Sequence, residues 1–321
     1  AVYKTKFCRI GYNDEITTST DPEDVCTGLG LDGGGVYKFP VKVPSPVIAS
    51  SLYTRNYFIS SSSIRDTGYH NYDEGILVDE DQHGNVGAIR VKISGLNTKY
   101  GITSELVILN GHTPVPLINH YHRINDMKVV TIGRSLSNVG DIYVSALNAV
   151  RTSTVLDLND YVSSGVPISG QLIYAKIPGS DNRMLSSHYT VPRAHTLYVE
   201  SIKFNTDVIS SNIVNWKLMA GVNGSLHVIY KGRISSSFTA QAMNETLTFK
   251  DGYTFPSGSD IVLRINTVGA TTDVSSIMEG YLISQVQLEL ENEKRKVSDV
   301  VSITRAEELI EDTYRKDSYT D

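Results

Sequence analysis

The pattern that most restricts the fold is a succession of short apolar runs, cut apart by Gly, Asn and Ser, with no helical period between them. NYFIS, GAIRVKISGL, SELVILN, KVVTIG and GDIYVSA follow one another between Val47 and Val150. Within VGAIRVKISGL, Ile89, Val91 and Ile93 fall on one face of an extended chain and Arg90 and Lys92 on the other, the pattern of a half-buried strand. Strands spaced this closely, without crossover helices, predict antiparallel pairing rather than βαβ units. SELVILNGHTPVPL places Asn110-Gly111 between two apolar runs. Asn and Gly tolerate positive φ at least cost, so a tight hairpin is expected there, with Gly133 and Gly140 as further turn positions. A second series runs from Gly165 to Leu290. In its LHVIYKGRI, Leu226, Val228 and Tyr230 are assigned to one face, and in SDIVLRINTV, Ile261, Leu263 and Ile265.

At 321 residues the chain exceeds most single β-sandwiches, so two domains of about 100–150 residues are expected. Tyr (19) outnumbers Phe (7) and Trp (1), which suits half-exposed pleated surfaces more than helical layers. The expected architecture is mainly β: two antiparallel, jelly-roll-like sandwiches over 46–150 and 165–290, joined by a linker at 151–164. An irregular arm, 1–45, precedes them and a charged tail, 291–321, follows. The arm carries a glycine cluster from Gly28 to Gly35, and then Pro40, Pro44 and Pro46, which remove backbone donors and hold the chain extended. In the tail, Thr304 and Glu307 have capping-box spacing, and Ala306, Leu309, Ile310 and Thr313 share one helical face. A helix of roughly three turns is too brief to stand alone in water, so it must dock on its own chain or a neighbour.

Several function classes are argued against. The net charge of −6, with no cluster of Lys and Arg, opposes a nucleic-acid role. The first residues, AVYKTKFCRIGYN, show no apolar signal-peptide core, and no stretch approaches the ~20 apolar residues of a membrane span, so a soluble, unsecreted chain is expected. Cys8 and Cys26 are read as free thiols, because a chain of this size needs no staple. GLGLDG, Gly28–Gly33, spells G-x-G-x-x-G, but no strand precedes it and FPVKVPSP cannot supply the helix that holds pyrophosphate, so no cofactor is expected. Asp79 to Gly84 begins like a calcium loop, yet the twelfth position is Arg90 where a bidentate Glu belongs. His112, His120 and His122 lack the carboxylate or Cys that would complete a zinc site. Asn223-Gly-Ser and Asn244-Glu-Thr fit the glycosylation pattern and are read as turns. No G-x-S-x-G elbow or H-E-x-x-H motif is present, so no catalytic residue is assigned and the chain is not read as an enzyme.

The ordered motifs YFISSSSIRDTG, GAIRVKISGLNTKYGITSELVILNGHTPV and HRINDMKVVTIGRSLSNVGDI together resemble a family of virion structural proteins from tailed bacteriophages. The residues that carry the resemblance are Asp66-Thr67, Gly95-Leu96, Ser104-Glu105, Asn110-Gly111, Arg123-Ile124-Asn125, Gly133, Ser135, Asn138 and Gly140, with a weaker echo in MLSSHYTVPRAHTLYVES. Tyr69–Asn85 departs as an insertion, and Arg134 interrupts the usual Gly-Ser. The resemblance implies tandem β-sandwiches, a non-enzymatic role in capsid decoration or as a neck or tail accessory, other virion proteins as partners, and assembly in the host cytoplasm. A homo-oligomer is expected, since symmetric assemblies multiply modest contacts. Contact residues are placed at Pro40, Pro44 and Pro46 in the arm and at Leu309 and Ile310 on the helix. Two other readings are carried. One is a receptor-binding tail fibre or spike, taking a host surface glycan at Tyr69–Asp73; the other is a carbohydrate-active enzyme, which needs two carboxylates across a cleft.

Overall fold

A computed structural model describes residues 4–16, 23–24, 57–68, 86–146, 162–167, 172–207, 213–222, 225–235, 243–268 and 272–285. These residues are mainly β. In chain order the strands are β1 (Lys4–Ile16), β2 (Glu23–Asp24), β3 (Tyr57–Ser61), β4 (Ala88–Leu96), β5 (Ile102–Ile108), β6 (Val115–Pro116), β7 (Arg123–Ile132), β8 (Ile142–Ala146), β9 (Val162–Ser163) and β10 (Val166–Pro167). They continue with β11 (Leu172–Ile177), β12 (Tyr189–Thr190), β13 (His195–Asp207), β14 (Ile213–Val222), β15 (Ser225–Ser235), β16 (Met243–Phe255), β17 (Ser259–Val268) and β18 (Thr272–Ser284). All pairings are antiparallel.

Two apolar cores organise the strands. The first lies between the sheets β5-β4-β7 and β11-β8-β3-β6 and takes Val91, Ile93, Ile59, Val144 and Met127, all fully buried. The second lies between β1-β18-β13-β16 and β12-β17-β14-β15 and is built on Phe204, Trp216, Leu218, Leu263 and Val274. Burying one such side chain contributes about 1.5–3 kcal/mol, so the inward rows of β4, β13, β14 and β17 dominate the cohesion of each half. Strand β4 follows its pattern from Arg90 to Ile93, with Val91 and Ile93 inside and Arg90 and Lys92 exposed, but Ile89 is only half-buried, because the register shifts beside it and Ala88 takes the buried position instead. In β17, Ile261, Leu263 and Ile265 are all buried, also as expected.

Four sequence expectations change. Asn110-Gly111 does not close a hairpin: β5 pairs with β4, whereas β6 pairs with β3 in the other sheet. Of the two residues only Gly111 takes positive φ, +56°, and the turn closes by Thr113 N–H donating to the Asn110 carbonyl at 3.0 Å. The turn therefore carries the chain from one sheet to the other. Second, Lys4–Ile16, assigned to the irregular arm, is a strand: β1 pairs along β18 and puts Phe7 into the second core. Its inward row is Phe7, Arg9 and Gly11, too poor in apolar residues to read as a strand.

Third, β11, placed by sequence in the second half, pairs with β8 and contributes Tyr174, Ala175 and Ile177 to the first core. Fourth, Val228 and Tyr230 are exposed, at 47% and 41%. The register of β15 shifts so that Leu218 faces Tyr230 and Met219 faces Val228, and the bulged Ile229 packs on the core instead. The expected tail helix with Leu309 and Ile310, the arm residues Pro40, Pro44 and Pro46, Cys26, and the segments 28–35 and 69–85 lie outside the described residues.

Candidate functional site

The most heavily built polar feature lies where the two halves meet. Strand β7 opens with Arg123-Ile124-Asn125-Asp126, and these residues face Ser186–Thr190 and the start of β17. Arg123 Nε donates to Asp260 Oδ1 at 2.9 Å and Nη2 donates to Oδ2 at 3.1 Å, a two-pronged pair with the side chains 2% and 0% exposed. The third guanidinium nitrogen, Nη1, donates to the His122 carbonyl at 2.8 Å. Thr190 Oγ1 donates to Asp260 Oδ1 at 2.7 Å. Asn125 closes a reciprocal pair, Nδ2 donating to the Thr190 carbonyl at 2.8 Å and Oδ1 accepting from Thr190 N–H at 3.0 Å. Two planar charge-assisted bonds and an amide bridge fix orientation as well as distance, so the halves are held in one relative pose.

Close approach at this joint needs glycine. A Cβ on Gly95 of β4 would stand 2.1 Å from the Arg123 carbonyl oxygen, so only a residue without a side chain lets β4 run beside the head of β7. His188 completes the joint. Its Nε2 lies 3.2 Å from the Ile124 carbonyl and therefore carries the proton, while Nδ1 faces the Ser186 hydroxyl. Arg9 of β1 reaches the same region: Nη1 donates to Asp126 Oδ1 at 3.3 Å, and Arg183 Nε stands 3.5 Å from that oxygen. Burial holds the Arg9 guanidinium below its usual range, opposed by the Asp126 charge.

Burial, reinforced by the positive charges of Arg9 and Arg123, pushes the His188 imidazole down to about 3 from 6.5. The unfolded chain protonates this ring near pH 6.5 while the folded chain resists to about pH 3, so across that window the folded state binds fewer protons. Stability is then complete above pH 6.5 and declines as pH falls, by about 1.4 kcal/mol per unit. Urea midpoints measured at pH 7 and pH 5 are expected to differ accordingly, and His188→Gln is expected to flatten that slope. An unchanged slope in the variant counts against the assignment.

A second polar knot lies within the first half. The fully buried Asp66 carboxylate accepts four hydrogen bonds: Oδ1 from Ala88 N–H (2.7 Å) and Val139 N–H (2.9 Å), and Oδ2 from the Ser61 hydroxyl (2.6 Å) and Gly140 N–H (2.9 Å). Gly111 N–H donates to the Asp66 carbonyl at 2.9 Å, and Thr67 bridges Asn110. Asn138 Nδ2 donates to the Gly140 and Pro178 carbonyls, both at 2.7 Å, and Gly133 N–H donates to the Gly87 carbonyl at 2.8 Å. Asp66-Thr67, Asn110-Gly111, Gly133, Asn138 and Gly140, scattered over the sequence, are therefore gathered in one part of the first half. Nearby, burial acts to raise the Asp141 carboxyl, but the Lys176 ammonium at 2.8 Å outweighs it and holds that carboxyl below its ordinary value.

The other sequence candidates are not drawn together. His120 is exposed, His122 packs against Tyr100, and His112 Nε2 lies 3.1 Å from the Ser62 carbonyl. Among the described residues no group of three His, Cys, Asp or Glu is placed to hold a metal ion, and no helix is long and apolar enough to cross a membrane. Cys8 is an exposed thiol on the outward row of β1, and Asn244 is exposed on β16. Arg123 and Asn125 belong to the motif that carries the resemblance and His188 and Thr190 to its weaker echo, whereas Asp260 belongs to neither. Asp260 precedes an apolar run after Gly258, where a carboxylate reads as an ordinary turn residue.

No family model and no curated protein matches this chain. Among solved structures, it is similar to one described as the structure of infectious bursal disease virus Gx strain, at 10% identity over 90% of this chain and 83% of that one, with a TM-score of 0.17. A second, the structure of infectious bursal disease virus Gt strain, is similar at 12% identity over 88% and 73%, with a TM-score of 0.19.

Proposed function

We propose that the protein is a non-enzymatic structural component of a tailed-phage virion, a capsid decoration or neck and tail accessory protein, made of two jelly-roll-like sandwiches locked by a polar joint. It acts by presenting rigid surfaces to other virion proteins. The observation that supports this most directly is where the buried charges go. Asp66 is consumed by four internal donors, and Arg123 and Asp260 by each other. None of these groups is left facing a cleft, as an acid, base or nucleophile must be to meet a substrate. The positions that carry the phage resemblance, Asp66-Thr67, Asn110-Gly111, Arg123 to Asn125, Asn138 and Gly140, are also the ones that pin this frame, which is what a scaffold kept for shape requires.

The test is imaging of virions assembled with and without the chain. The expected result is a fixed density missing at symmetry-related positions on the head, collar or tail, with lower tolerance of heat and low salt. Particles that stay as robust but no longer adsorb to cells assign the chain to a receptor-binding fibre or spike. Polysaccharide turnover by the isolated protein, abolished by one carboxylate substitution, replaces both readings with an enzyme.

A further inference from the structure

Strand β1 is held by little besides its backbone. It forms the edge of its sheet and pairs with β18 alone. Of its buried positions, Phe7, Arg9 and Gly11, only Phe7 places an apolar side chain in the second core, its ring centred 4.8 Å from that of Tyr189. Strand β13 of the same sheet is paired on both sides and sends Leu197, Val199, Ile202 and Phe204 inside. An edge strand with one apolar anchor depends on its ladder, and few contacts set the free energy of opening it.

Arg9 works against even that hold. Its side chain is 7% exposed, and Nε and Nη2 are buried without a hydrogen-bond partner. Nη1 donates to Asp126 Oδ1 of β7, an oxygen that also faces Arg183 Nε at 3.5 Å, and the Tyr189 ring lies 5.6 Å from the guanidinium carbon. Arg123, also buried, turns the same Nε and Nη2 edge onto both oxygens of Asp260. A guanidinium taken out of water is compensated only when its N–H groups find acceptors, so Arg9 is a poorly compensated buried cation. The counter-charge that keeps it in place belongs to the other half of the molecule.

We propose that β1 is a strap that opens from its sheet while the rest of the fold stays closed, and that the contact between Arg9 and Asp126 sets how often it opens. Opening returns the guanidinium to water and parts β1 from β18. That leaves unpaired backbone on both strands, the kind of edge to which a second chain adds a strand. Through Asp126 the strap is coupled to the joint between the halves. This inference stands apart from the virion reading, because it is tested on the isolated full chain.

Native-state amide exchange on that chain, followed at increasing urea, measures it. Residues 5–12 are expected to exchange well before those of β13 and with a shallower urea dependence, since a local opening exposes little surface. In Arg9→Met, which keeps apolar bulk and removes the charge, exchange of β1 is expected to slow about tenfold, and in Asp126→Asn to quicken about tenfold. The double variant Arg9→Met/Asp126→Asn is expected to exchange as slowly as Arg9→Met, because Asp126 then has no guanidinium to hold. Exchange of β1 that matches β13 in rate and urea dependence overturns the strap. Exchange in Arg9→Met that is unchanged or faster than in the parent overturns the role of Arg9.

Discussion

Arg123→Ala is expected to destabilise the protein by about 3–5 kcal/mol, because it strands the Asp260 carboxylate, 0% exposed, without its counter-charge. The cost comes less from the attraction that is lost than from the desolvation that is no longer offset. The paired variant Arg123→Met/Asp260→Leu removes both charges and is expected to be milder than either single change, a coupling that a double-mutant cycle reads directly. The joint also binds the halves into one unfolding unit. Trp216 is the only tryptophan of the chain and sits in the second core, so its fluorescence follows that half, whereas far-ultraviolet circular dichroism follows both. In the parent protein the two probes are expected to share one urea midpoint, and in Arg123→Ala to separate. Coincident transitions in the variant, or a loss below about 1 kcal/mol, would show that the clasp does not couple the halves.

What the sequence disclosed follows from how local each determinant is. The strand character of β4 and β17 rests on alternation along a few consecutive residues, and the chain carries that alternation openly. Strand β1 was hidden because its buried row includes Arg9, whose partner Asp126 is 117 positions away. The bulge at Ile229 inverts an apparently regular LHVIYK alternation, and nothing within β15 marks it, since the shift is imposed by pairing with β14. Asn110-Gly111 was legible as a turn, but which sheets it joins is decided by Thr67 and Asp66, on the far side of the 69–85 segment. The clasp is the extreme case. Arg123 and Asp260 lie 137 positions apart, and each by itself looks like a charged residue at the end of a strand.

The same argument gives Asp66 the second large effect. Asp66→Ala is expected to cost on the order of 5 kcal/mol, because three backbone N–H groups, of Ala88, Val139 and Gly140, and the Ser61 hydroxyl lose their acceptor, and unsatisfied buried donors cost about 1–3 kcal/mol each, non-additively. Asp66→Asn is expected to be milder. Its amide oxygen can replace Oδ1 for Ala88 and Val139, and its NH2 can donate to a reoriented Ser61 hydroxyl, which leaves only Gly140 N–H opposed. The carboxylate also fixes a neighbour: a Cβ on Gly87 would stand 2.0 Å from Asp66 Oδ1, so Gly87→Ala should be damaging with Asp66 in place. In Gly87→Ala/Asp66→Ala the methyl group occupies the space vacated by the carboxyl group, and the combined loss is expected to fall short of the sum of the two single losses. Thermal or urea denaturation of the four variants measures this, and strict additivity would mean that the Asp66 carboxylate does not set the geometry at Gly87.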